Sequence, residues 1–505
     1  MNAPAIISPS NPVPGLRLQV DLTSAPTSPG NDVLRALILS VKETGQGSLV
    51  VDDGRVTVTS ASEVLAAIGR GPGYFAYKAM LANNPTALVD LIAPTASGGN
   101  AAAGTITFAS TVTAAITYRL WIHGVQIDLP WLVGETPEQM KAKAVTLINQ
   151  RSDQLMVVAS AGSGGVVDLD ARITGPSGND IRIRGTLLEG AGGTVTLSGA
   201  NLTGGTTEVD FTDALATAAS REYDYIVVCT SNADAESASA TSNPGRVKTH
   251  IAANQTGLNA KLQQAIVVTT TTLANAKTGA IGRNAQEFEH LCVTTGEGLS
   301  AAVAGAEAGD RMRRRSLSFG NANRIGSRLV GVVGAADQVA ATPTEVQALD
   351  ALTNGVTPVS YDVSGNLFVV RPITTRSLDA FGSPTTLTDC SEIDALYTVA
   401  KDLRSFLPVE FNQVNVVRDQ PEDGTAEDLP AGTVEERDIR AAIATRMAFW
   451  TARGTVQGPA FAQAVADGTF QVNVNPSDPT QVDIFIPLIA VKPLAKMGVL
   501  VQKAG

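Results

Sequence analysis

Tyr225-Ile226-Val227-Val228-Cys229 is an unbroken apolar run of strand-forming residues. A strand with one face in water alternates apolar and polar positions. One written apolar throughout is covered on both faces, as in a parallel sheet layered with helices. Ala265-Ile266-Val267-Val268 and Glu289-His290-Leu291-Cys292-Val293 repeat the pattern downstream. Helical patterns lie among these runs, over about 211–220 and 246–256, and from Leu299 to a stop at Gly309. Upstream, Arg35–Ser40, Arg55–Val58 and Ala87–Ile92 read as strands, with helices over 63–68 and 74–83. Strands alternating with helices predict an α/β core. The cluster Gly69-Arg70-Gly71-Pro72-Gly73 follows a helix and lacks a Lys-Ser/Thr pair, so it reads as helix termination and not as a phosphate loop.

The texture changes at Ala96. A small-residue linker leads into strands at 105–108, 115–122, 125–129, 156–158, 166–169, 181–184 and 194–197. One helix runs to about Asn149, with Thr136 as N-cap, Pro137 at its first position and Gln139 closing a capping box. This is a β-rich domain inserted into the α/β one. From about Val339 a third, α+β unit is expected. It holds a helix at 343–352, a hairpin turning at Ser364-Gly365-Asn366 and a helix over 392–406. A capping box at Thr433–Glu436 opens a helix to about Arg453, and a final hairpin turns at Asn475-Pro476-Ser477-Asp478. The predicted division is a 1–30 arm, an α/β domain over 31–95 and 206–335, an inserted domain over 96–205, a C-terminal domain over 336–490 and a 491–505 arm.

The two ends carry strand patterns of their own. Leu16, Leu18, Val20 and Leu22 alternate with polar residues on a Pro- and Asn-rich leader. Val499, Leu500 and Val501 follow a bend at Lys492-Pro493. A terminal strand needs an edge to pair with, in its own domain or in another molecule.

Composition narrows the function. In 505 residues the formal net charge is −11, which argues against nucleic-acid binding. The one basic run, Arg311-Met312-Arg313-Arg314-Arg315, reads as a solvated loop or a partner-facing cluster. No apolar run is long enough to span a bilayer. The N-terminus lacks the basic and apolar regions of a signal peptide, so residence in a cytosol is expected. Cys229, Cys292 and Cys390 are isolated. An inter-subunit disulfide through one of them is conceivable, but the spacing demands none. His290 sits two positions from Cys292 and reads as a strand neighbour, not as a catalytic or metal pair. No Gly-x-Ser-x-Gly elbow, His-Glu-x-x-His or calcium loop occurs, so neither catalysis, a metal nor a cofactor is expected. In the 433–453 helix, Arg446 and Arg453 fall on the apolar stripe of Ile439, Ile443, Met447 and Trp450. Arginine there suits a protein interface more than a core.

The order of features resembles the tail sheath protein of contractile phages, in the Mu-like group. The resemblance runs from Pro14-Gly15 through the glycine cluster to Asn84-Pro85, then through the insertion from Gly104-Thr105-Ile106-Thr107-Phe108 to Gly178-Asn179-Asp180-Ile181. It continues with Arg371-Pro372-Ile373-Thr374-Thr375, which looks like that family's Arg-x-Ile-Thr-Thr strand, and the closing Val482–Pro487 segment. It implies a subtilisin-like sheath domain, a name for fold and not activity. It implies subunits polymerised as stacked hexameric rings around an inner tube, with terminal arms adding strands to neighbours. On triggering, such a lattice contracts and drives the tube through the host envelope. The implied partners are the chain itself, the tail tube protein, and baseplate and terminator proteins, with neither nucleic acid nor membrane insertion. The implied location is the virion tail, assembled in the host cytoplasm. Tube contact would fall to Arg446, Arg453 and Trp450. Two rivals stay open on residues alone: an exported surface-layer or adhesive protein, and a hydrolase with a dispersed site.

Overall fold

A computed structural model describes residues 34–49, 54–95, 98–188, 192–255, 260–294, 299–317, 326–332, 342–421, 429–478 and 480–491. The terminal strands expected at Leu16–Leu22 and at Val499–Val501 lie outside the described residues.

The core is a nine-stranded sheet. Its parallel centre runs in the order Leu88–Ile92, Arg35–Leu39, Tyr225–Val228, Gln264–Thr269, Phe288–Val293 and Thr357–Tyr361. Arg55–Val58 closes one edge antiparallel; Leu367–Val369 and Ser327–Arg328 close the other. Every residue of Tyr225–Val228, Gln264–Thr269 and Phe288–Val293 is buried, as their apolar runs require.

Helices Pro72–Asn83 and Ser300–Leu317 pack together against this sheet. Glycine permits the close crossing. A Cβ at Gly309 would lie 2.5 Å from Met80 O, and one at Gly305 would strike Ala76 O. Gly309 therefore does not end its helix, as the sequence suggested; it gives the neighbouring helix room. Gly69, at φ 69°, ends helix Ala61–Ile68, while Gly71 and Pro72 start the next. The glycine cluster is thus a helix-to-helix joint.

The fold is a mixed α/β multidomain one. The inserted segment builds two antiparallel sheets. One has the order Thr194–Leu197, Ala101–Ala109, Val166–Thr174, Val157–Ala161; the other, Val125–Trp131, Ile116–Ile122, Ile183–Leu187. Helix Pro137–Gln150 starts at the capping box of Thr136 and Gln139 and buries Met140, Ala144 and Ile148. Phe108 meets Trp131 edge-on at 5.7 Å, closing the space between the sheets.

Two expectations fail at the C-terminal boundary. Thr357–Tyr361 and Leu367–Val369 belong to the central sheet, so the third unit does not begin at 336. Sequence distance hid this pairing: Leu291 faces Thr357 across a long excursion. The transition falls instead within helix Cys390–Glu410. Arg371–Thr375 is not a strand either. It contributes single bridges, Glu289 to Thr374 and Ile373 to Asp389, with Arg371 held bidentate by Asp389 at 2.6 and 2.8 Å.

The C-terminal domain packs helices Cys390–Glu410, Glu436–Ala452 and Gly458–Ala466 with the hairpin Gln471–Val474/Val482–Phe485. Its core includes Tyr397, Leu403, Ile443, Met447, Trp450 and Phe470. The expected Thr433 cap is displaced. Thr433–Glu435 pairs as a strand with Asn415–Val417, and the capping box is formed by Glu435 and Asp438.

Candidate interaction site

The basic run is only partly at the surface: Arg311 and Arg315 are buried, while Arg313 and Arg314 are part-exposed and pair with Asp310. It ends the buried helix Ser300–Leu317, and Arg311 is 1 % exposed. Arg311 Nη1 donates to Glu289 Oε2 at 3.0 Å and Nη2 to Asp394 Oδ1 at 2.8 Å. The guanidinium also stacks over Tyr225, 4.8 Å from the ring centroid, and the Tyr225 hydroxyl donates to Asp394 at 2.5 Å. Burial is the largest influence and opposes the Arg311 charge, but Asp394, Cys390, Tyr225 and Glu289 together outweigh it and hold the pKa well above its usual value. One turn on, Arg315 Nε donates to Thr398 Oγ1 at 2.7 Å and pairs with Asp224 at 3.1 Å. Lys401 reaches the same Asp224 at 2.7 Å. The expected solvated cluster is thus an internal seam between the core and helix Cys390–Glu410. The reason is partners far apart in sequence, which turn a surface pattern into a core one.

The seam continues along that helix to Asp402. Arg446 grips Asp402 with two donors, Nε lying 2.6 Å from Oδ2, and Trp450 Nε1 donates to the same carboxylate at 2.9 Å. Trp450 is fully buried and offers nothing to a partner, so its expected role in tube contact is withdrawn. Helix Glu436–Ala452 turns this tryptophan inward with Ile439, Ile443 and Met447. Arg446 is committed within the domain; only part of its side chain is exposed. The exposed feature is Phe449, with Arg446 at 4.7 Å and Arg453 at 4.5 Å from its ring centroid. Of the three sequence candidates, Arg453 is the one that stands on the outside. Asp402 was missed, although Asp394, Thr398 and Asp402 recur every four residues as a polar stripe.

The hairpin supplies a different kind of surface. Val474 N–H donates to Glu436 Oε1 at 2.5 Å, and Arg440 donates to Val472 O at 3.3 Å. The outer edge of Gln471–Val474 is therefore covered by helix side chains. Because Val472 and Val474 direct their backbone outward, their partners Ile484 and Val482 do so on the opposite edge. Among the described residues no strand lies against that edge. The sequence segment Val482–Phe485 thus has its partner within its own domain, and one side left over.

All three cysteines are buried and unpaired among the described residues. Burial pushes the Cys292 thiol up to about 12 and raises Cys229 and Cys390 as well. They are not placed to crosslink subunits, which corrects that expectation. His290 faces Arg283 at 2.5 Å, while Cys292 donates to Thr271 O, so the two do not form a pair. Among the described residues, one hydroxyl set against a carboxyl is Ser231, which donates to Glu208. Ser231 is 1 % exposed and its oxygen caps a helix by accepting from Asp234 N–H at 3.2 Å. That is a structural use of the hydroxyl. Among the described residues no group of three or more His, Cys, Asp and Glu could hold a metal, and no helix is long and apolar enough to cross a membrane.

No protein-family model and no curated protein matches the chain. Among solved structures it is similar to a sheath tail protein from Desulfitobacterium hafniense. The two share 12 % identity over 94 % of this chain and 100 % of that one, with a TM-score of 0.44.

Proposed function

We propose that this chain is a structural subunit of a contractile phage tail sheath, polymerising as stacked hexameric rings around an inner tube. The observation that carries the reading is the open edge of Val482–Phe485, on a hairpin whose other edge is capped. An unpaired edge is a site for strand addition. The sequence patterns at Leu16–Leu22 and Val499–Val501 read as short strands suited to such addition. Order along the chain supports the reading too: an α/β core, an inserted β-rich domain and a C-terminal α+β domain. In this reading the chain is not an enzyme. Its work comes from rearrangement of a stored lattice, driving the tube through the host envelope.

Tube contact is assigned to the Phe449–Arg453 surface, with Arg446 bracing it from within. Baseplate and terminator proteins complete the partners at the two ends of the tail. The test is negative-stain microscopy of the full-length chain beside variants lacking residues 1–22 or 495–505. Striated tubes from the full chain and folded, non-polymerising truncations are expected. Tubes from either truncation would sink the strand-exchange reading. Flat arrays from the full chain would favour a surface layer.

A further inference from the structure

An internal turn of the inserted domain and its returning limb meet the core at a single spot. The turn Pro176–Asp180 brings Asp180 to the start of the short helix Asn232–Ala235, where Asn232 N–H donates to Asp180 Oδ2 at 2.7 Å. The returning chain brings Glu208, which accepts from Ser231 Oγ, the N-cap of the same helix. Asn179 laces this turn to the returning limb: its Nδ2 donates to Gly205 O at 2.9 Å and its Oδ1 accepts from Gly205 N at 2.8 Å. One internal turn of the inserted domain and its returning limb are thus each fastened by a carboxyl group.

The surroundings are poor in free cations. Asp234 accepts from Thr230 Oγ1 at 2.6 Å and from Asn243 N–H at 3.1 Å, and Glu236 accepts from Thr271 Oγ1. Arg246 pairs with Asp210 at 2.8 Å. Arg283 donates to Ala235 O at 2.8 Å and faces His290, while Lys248 donates to Arg283 O. Burial, and then the Arg283 charge, keep His290 neutral. Burial, ahead of the Glu236 charge, pushes Asp180 up to about 7. Burial, ahead of Asp234 and Asp180 itself, pushes Glu208 up to about 7. The hydrogen bonds from Ser231 and Asn232 offset this only in part.

We propose that docking of the inserted domain onto the central sheet is tightened by acid and loosened by alkali, with Asp180 and Glu208 as the titrating fasteners. Released into water, these carboxyls titrate near 4; docked, they keep the proton. Docking is therefore fully supported below about pH 4 and loses that support as pH rises to about 7. The inference holds whatever assembly the chain forms.

Hydrogen exchange of the full-length chain, corrected for the intrinsic rate, tests it. Between about pH 8 and about pH 6 each carboxyl titrating near 7 strengthens docking by about tenfold. Amides of residues 173–182 and 228–236 should gain at least that protection, while the Arg35–Leu39 strand should not. Asp180→Asn with Glu208→Gln should flatten the response; if that pair does not fold, each single change should halve it on a logarithmic scale. Protection in the natural chain that is level with pH, or that shifts equally in Arg35–Leu39, overturns the proposal. So does a pH response that survives both substitutions.

Discussion

Arg311 Nη2 lies 2.8 Å from Asp394 Oδ1, joining a helix of the central domain to a helix of the C-terminal one with both side chains buried. Removing one member strands a charge in the interior, at a cost of about 3–5 kcal/mol. Arg311→Met and Asp394→Leu should each lower the denaturant midpoint strongly. The double change should cost less than the sum, because it leaves fewer unpaired charges. Strict additivity would mean that the contact carries no coupling.

The open edge makes a positional prediction. Ile484 directs its N–H away from the hairpin, whereas Asp483 uses its own within it. Ile484→Pro should leave the hairpin paired but block strand addition, so that folded chains fail to polymerise. Asp483→Pro should melt the hairpin itself. Assembly scored by microscopy, with thermal unfolding beside it, separates the two. Normal tubes from Ile484→Pro would argue that this edge receives nothing.

Asp402 holds Arg446 and Trp450 together. Asp402→Ala should destabilise the C-terminal domain by roughly 1–3 kcal/mol, since it leaves a buried indole N–H unmatched. Arg446→Met should cost less, because part of that side chain reaches solvent. Tryptophan fluorescence during unfolding reads both. An Arg446→Met loss exceeding that of Asp402→Ala would reverse this order.

The thiols give the simplest check. With Cys229, Cys292 and Cys390 buried and their pKa values raised, an aromatic disulfide reagent should label the native chain hardly at all and the unfolded chain at all three. Rapid native labelling at any one would contradict the burial described.

Local signals in the sequence carried over well. The capping box at Thr136 and Gln139 lies where its residue types demand, and the apolar run at Tyr225–Val228 is a central strand. These depend on neighbours within a few positions. What sequence could not show were meanings conferred by distant partners. Arg311 reads as a solvated charge until Glu289 and Asp394 are brought to it. Thr357–Tyr361 reads as the start of a new domain until it lies beside Phe288–Val293. Trp450 and Arg446 share a helical stripe in projection, yet one is core and the other is tethered by Asp402, a residue on a different helix.

Helix Cys390–Glu410 is about 30 Å long. Its first turns are riveted to the sheet through Asp394, and its later turns fill the core around Trp450 through Leu403 and hold Asp402 against that tryptophan. The boundary between the two domains therefore falls inside a rod, not in a linker. Torque applied to the outer face of the C-terminal domain reaches the sheet along one shaft, and the load is borne by ion pairs shielded from water and salt.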